Sequence, residues 1–156
     1  MLLRICLVDA ASLVPQFSPT YEFDFSWRHR TRPLNPIYVE DNEVNVEVML
    51  GLRPQIELTA CSNGQEAVAV VQRVTPDLVL VDRQLPDIDG LDLLERLKSD
   101  PRLLGIPMVV VSADAIPGSL AETLAADATD YLTKPLTVDA LLGLVDRLFD
   151  EVAEQR

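Results

Sequence analysis

Four short stretches of this sequence each end on residues that could do chemistry together. Leu78 to Val81 is wholly apolar and runs straight into Asp82. A carboxylate closing a strand that reads as buried is costly unless it has a partner or a function. In the same way Ile37 to Val39 runs into Glu40 and Asp41, and Met108 to Val111 runs into Ser112. Thr129 to Leu132, which includes Tyr131, is followed by Thr133, Lys134 and Pro135. Three carboxylates gathered in one place repel one another unless a cation sits among them. Hard oxygen ligands in a partly open site suit Mg²⁺, which also accepts phosphate oxygens. The single histidine, His29, and the two cysteines lie elsewhere, so a zinc ligand set is missing. A metal-bound aspartate can attack a phosphoryl group. The phosphoryl oxygens then need donors, and the Ser112 hydroxyl, the Lys134 ammonium and backbone N–H groups after Asp82 could supply them.

These residues meet only if the elements before them lie side by side. From residue 36 onward, short apolar runs alternate with helical patterns. The expected strands are Ile37–Glu40, Ile56–Cys61, Leu78–Asp82, Met108–Ser112 and Thr129–Leu132. The expected helices are Asn42–Leu52, with Val44, Val48, Met49 and Leu52 on one face, then Ser62–Val74, Gly90–Lys98 and Gly118–Ala126. A last helix runs from Thr137, a plausible N-cap, to about Val152. Five strands alternating with five helices predict an α/β fold, a doubly wound parallel sheet covered on both faces. Ligands of such sheets bind beyond the carboxyl ends of the strands, where strand order reverses. All five chemical positions fall at that edge.

The bulk properties narrow the function. The 156 residues carry a net charge of −12 and are 48% hydrophobic. That balance supports a real core and argues against nucleic-acid binding, which needs a basic face. Cys6 and Cys61 are far apart in sequence and read as reduced thiols of a cytoplasmic protein. Arg4 and Asp9 interrupt the apolar start, and no transmembrane run follows. Residues 1–35 differ in character, holding five of the eight aromatics and four arginines against three acids. They read as an N-terminal extension ending in a linker at "RTRPLNP", with the main domain over 36–156. "TYEFDFSW" alternates aromatic and polar residues, which is a strand pattern.

Residues 36–152 resemble the receiver domain of two-component response regulators. The motifs are "IYVEDN", "PDLVLVDRQLPDIDG", "VVVSADA" and "DYLTKP", in the family's order. The resemblance implies a flavodoxin-like (β/α)5 receiver fold with strand order 2-1-3-4-5. It implies Asp82 as phosphoacceptor, with Mg²⁺ held by Asp41, by Glu40 through water, by Asp82, and by the backbone carbonyl of Gln84. It implies Ser112 and Lys134 as phosphate contacts, Tyr131 as a switch aromatic, and a cis bond between Lys134 and Pro135. Implied partners are a histidine kinase or phosphotransfer protein, a downstream protein, and a second copy in a phosphorylation-dependent dimer. Direct contact with nucleic acid or membrane is not expected. Asp127 stands where the family often has Gly, at a left-handed helix cap that Asp tolerates better than most residues. "TYEFDFSW" loosely resembles the last strand of a histidine kinase ATP-binding domain, so the chain could be the tail of a hybrid kinase. No output domain is expected after the last helix.

Two other functions compete with the phosphorelay module, which would not itself be an enzyme acting on an external substrate. One is a constitutive interaction module that keeps the fold without being phosphorylated. The other is a Mg²⁺-dependent phosphatase. It would need a second acid beside its nucleophile, and Asp82 is followed by Arg83 and Gln84.

Overall fold

The computed structural model describes residues 32–50, 56–114 and 116–154. The expected N-terminal extension lies outside them as far as Thr31, and so do "TYEFDFSW" and Cys6.

In chain order the elements are β1 (Pro36–Val39), α1 (Glu43–Leu50), β2 (Thr59–Cys61), α2 (Gly64–Val71), β3 (Leu78–Asp82) and α3 (Gly90–Lys98). A short 3-10 turn (Pro101–Leu103) leads to β4 (Met108–Ser112), α4 (Pro117–Ala125), β5 (Asp130–Thr133) and α5 (Val138–Glu154). The five strands form one parallel sheet in the order β2-β1-β3-β4-β5, as the sequence reading expected. The order reverses between β1 and β3, and so the crevice above those two strands is the place for a ligand.

Side-chain alternation along the strands builds two cores. Tyr38, Leu78, Leu80, Val109 and Val111 face α1 and α5, whose Met49, Leu141, Leu144 and Val145 cover them. Ile37, Val39, Val79, Val81 and Val110 face the other way, against Ala67 and Val71 of α2 and Leu93, Leu94 and Leu97 of α3. A strand buried on both faces reads as an unbroken apolar run, which is why β3 and β4 were visible without any periodicity. Thr137 caps α5, its Oγ1 accepting from the Ala140 N–H at 3.1 Å. Asn63 caps α2, accepting from the Glu66 N–H at 2.8 Å. Cys61 is buried at the end of β2, and burial pushes its thiol up to about 11.

Some boundaries differ from expectation. The second strand is only Thr59–Cys61, with Ile56 held separately by a bridge to Leu34. Val44 was placed on the inner face of α1 but is 67% exposed. Met49 is buried as expected, and Val46 packs beside it in place of Val44. Leu52 lies outside the described residues. The segment before Pro36 is anchored: Leu34 is in the core, and both Arg32 and the Asn35 N–H bind Asp77. Among the described residues, no helix is long and apolar enough to cross a membrane.

Candidate functional site

Parallel register places the strand ends together. Val39 pairs with Val81, and the residues that follow them are Glu40, just past β1, and Asp82. Strand alternation sends both acids to the α1/α5 side, with Tyr38 and Leu80 one pleat below. The carboxylates of Glu40, Asp41 and Asp82 offer oxygens that all lie within 4.8 Å of one another. Glu40 and Asp82 are buried, while Asp41 is exposed at the rim. Lys134 enters from the turn after β5. Its Nζ lies 2.7 Å from Glu40 Oε2 and 2.8 Å from Asp82 Oδ2. Its backbone N–H donates to the Ser112 carbonyl at 2.8 Å, and its bond to Pro135 is cis, as the resemblance implied.

The loop after β3 wraps back on the acid. The Gln84 N–H donates to Asp82 Oδ1 at 3.1 Å, which sets the Gln84 peptide beside the cluster. The loop then returns through Asp89, which caps α3. Gly90 closes it. A Cβ there would lie 2.3 Å from the Asp82 carbonyl oxygen and 2.8 Å from Arg83 Cα, so a side chain cannot fit without moving the backbone of β3.

Electrostatics divides the two buried acids. Burial raises the Asp82 carboxyl above its ordinary value. The Lys134 and Gln84 donors only partly offset that, and the charge on Glu40 adds to it. Burial also works on Glu40, but Lys134, the Asn42 N–H and Asn45 outweigh it and hold its carboxyl low. Lys134 is raised, since its two carboxylate partners outweigh its own burial. One ammonium against three carboxylates leaves the pocket net negative. An all-oxygen donor set with one open side fits a small hard dication such as Mg²⁺. Glu40, Asp41 and Asp82 would hold it.

Ser112 is buried at the end of β4, and its Oγ accepts from the Asp114 N–H at 3.1 Å. Tyr131 is half-buried in β5 and its hydroxyl donates to the Asp114 carbonyl. The structure therefore brings Glu40, Asp41, Asp82 and Lys134 into direct contact range, and Ser112 of β4 and Tyr131 of β5 both grip the adjoining loop at Asp114. Three contributors were missed from sequence. Tyr38 donates to Glu40 Oε2 at 3.0 Å, Asn45 donates to the same oxygen at 3.0 Å, and the Asn42 N–H donates to Oε1 at 3.1 Å. Tyr38 carried a signal, since a tyrosine two residues before a strand-end acid shares its face.

Comparison with known proteins follows the same lines. The profile of the response regulator receiver domain matches residues 37–146. The polar-differentiation response regulator DivK of Brucella anthropi is 34% identical over 115 residues, which is 72% of this chain and 94% of DivK. The signal transduction histidine-protein kinase BarA of Escherichia coli K12 is 32% identical over 111 residues, 70% of this chain but only 12% of BarA. The receiver domain of sensor histidine kinase PA1611 from Pseudomonas aeruginosa PAO1 superposes with a TM-score of 0.68 at 29% identity. That match covers 74% of this chain and 97% of that one, whose structure has a magnesium ion coordinated in its active site cleft.

Proposed function

This chain belongs to the response regulator receiver family of two-component signalling, and from that premise we propose that it accepts a phosphoryl group on Asp82. The observation that carries this reading is the Lys134 ammonium lying 2.8 Å from Asp82 inside a cluster of three carboxylates. The donor is a phosphohistidine on a kinase or phosphotransfer protein. An Asp82 carboxylate oxygen attacks phosphorus and the P–N bond breaks. Its electron pair returns to the imidazole, which takes up a proton. Bound Mg²⁺ would neutralise the phosphoryl oxygens and the acidic pocket. Glu40 and Asp41 hold the negative lining that recruits it. Lys134 turns from Asp82 to a phosphoryl oxygen, and the Ser112 hydroxyl donates to another. The proton of that hydroxyl is not used in accepting from Asp114.

Output would be a protein contact on the α4–β5–α5 face. Ile116, Leu120 and Leu124 fall four residues apart along α4 and its approach, and all three are exposed. Such a stripe on a helix supports a partner surface. The module does no chemistry on an external substrate beyond gaining and losing its own phosphoryl group, and it works in the cytoplasm.

Intact-mass spectrometry after incubation with Mg²⁺ and acetyl phosphate tests the reading. One phosphoryl adduct is expected in the wild type and none in Asp82→Asn. An adduct persisting in that variant sinks the assignment. No adduct in either folded protein points instead to a constitutive interaction module.

A further inference from the structure

A phenol stands at position 38, in a strand whose other residues are Pro36, Ile37 and Val39. Tyr38 is fully buried, and a buried phenol needs a hydrogen-bond partner. Its partner is Glu40 Oε2, at 3.0 Å. Asn45 Nδ2 reaches the same oxygen from α1 at 3.0 Å, and Lys134 Nζ lies 2.7 Å from it. Three donors from three separate parts of the fold thus converge on one carboxylate oxygen. Oε1 has a single backbone donor, the Asn42 N–H. A carboxylate oxygen accepts about two strong hydrogen bonds. Oε2 is therefore committed to the protein, while Oε1 retains capacity for a cation or a water bound to one.

We propose that Tyr38 and Asn45 are positioning residues for the cation site, locking the Glu40 carboxylate so that Oε2 is satisfied internally and Oε1 is presented to the metal. The proposal rests on the phosphoacceptor reading for the identity of the cation. Neither side chain needs to touch the ion. Removing either donor loosens the hold on Oε2, so the Glu40 carboxylate turns more easily about its own bonds and the acidic cluster loses one pre-set ligand. Outer partners of ligating carboxylates typically contribute about 10–100-fold in metal affinity or activity.

The test is a Mg²⁺ titration followed by backbone amide shifts of Asp41 and Asp82, on wild type, Tyr38→Phe and Asn45→Ala. Thermal unfolding in a metal chelator runs beside it. Phe keeps the ring and most of its packing. The Mg²⁺ dissociation constant is expected to rise about tenfold in each variant, with only a few degrees' change in the metal-free melting temperature. Unchanged affinity in both, with any loss confined to metal-free stability, overturns the proposal, because Tyr38 is then only a core residue. Should Tyr38→Phe fail to fold, Asn45→Ala on the partly buried α1 surface decides alone. A wild type that binds no Mg²⁺ also overturns it. A wild type that binds Mg²⁺ more tightly than both variants, yet takes no phosphoryl group from acetyl phosphate, supports the positioning role and removes the phosphoacceptor reading.

Discussion

Ser112 and Tyr131 hold the backbone of one residue between them. Ser112 Oγ accepts the Asp114 N–H, and the Tyr131 hydroxyl donates to the Asp114 carbonyl. Any turn of Ser112 toward a phosphoryl group weakens one of those two grips. The β4–α4 loop then leans on Tyr131 alone, which is a direct route from chemistry to the start of α4.

The two residues should accordingly be separable. Tyr131→Phe is expected to leave phosphoryl uptake within about twofold and to speed amide exchange around Asp114 roughly fivefold, about 1 kcal/mol for one lost hydrogen bond. Ser112→Ala is expected to slow uptake by about tenfold, the loss of one charge-assisted donor. Uptake rates by mass spectrometry and hydrogen exchange by the same instrument would read both. Equal effects of the two substitutions on uptake would make Tyr131 part of the phosphate site and not of the relay.

Asp82 should be a stability liability in the absence of metal. Burial, then the charge on Glu40, lift its folded value above the unfolded one against the pull of Lys134 and Gln84. A raised acid favours the folded state most when it is protonated, below the unfolded value of about 4. That contribution fades as pH climbs through the folded value. Asp82→Asn is therefore expected to have a higher urea midpoint than wild type at pH 7 in chelator, with the gap closing toward pH 3. A lower midpoint for the variant at pH 7 would mean that the Lys134 ion pair outweighs the cost of burial.

Asp127 has φ 63°, the left-handed conformation that its position after α4 demands. For a residue with a Cβ this costs about 1–2 kcal/mol, although Asp suffers less than most. Its carboxylate pairs with Lys98 at 3.0 Å, but it is 94% exposed, so that pair contributes little. Lys98 also donates to the Asp127 carbonyl, which any residue would keep. Asp127→Gly should therefore raise stability by about 0.5 kcal/mol after the extra chain entropy of glycine, seen as a small rise in melting temperature. A fall in melting temperature would show that the Lys98 ion pair carries more than an exposed pair usually does.

The strand ends were legible because buried parallel strands are written as unbroken apolar runs, so an abrupt Glu40, Asp82 or Ser112 stands out. Asp127 was legible only through the resemblance, which puts a glycine-favouring helix cap at that position. The face of α1 was not. Val44 fits a helical stripe by its spacing alone, and only the packing of α1 on the sheet turns Val46 inward beside Met49 and leaves Val44 exposed. Asn45 was hidden because a polar residue on a helix is usually solvated. Its role depends on a carboxylate brought to it by a different element, which no local pattern encodes.

The bidentate Arg32–Asp77 pair, 2.8 Å in both arms, pins the incoming chain where β3 begins. Asp82 closes the other end of that strand, about 15 Å away at some 3.3 Å per residue. The molecule thus has a tether pole and a chemical pole. Arg32 itself therefore lies at the pole opposite the acidic cluster. A reporter carried at the Arg32 pole would sit a strand's length from Asp82 and leave the acidic edge open.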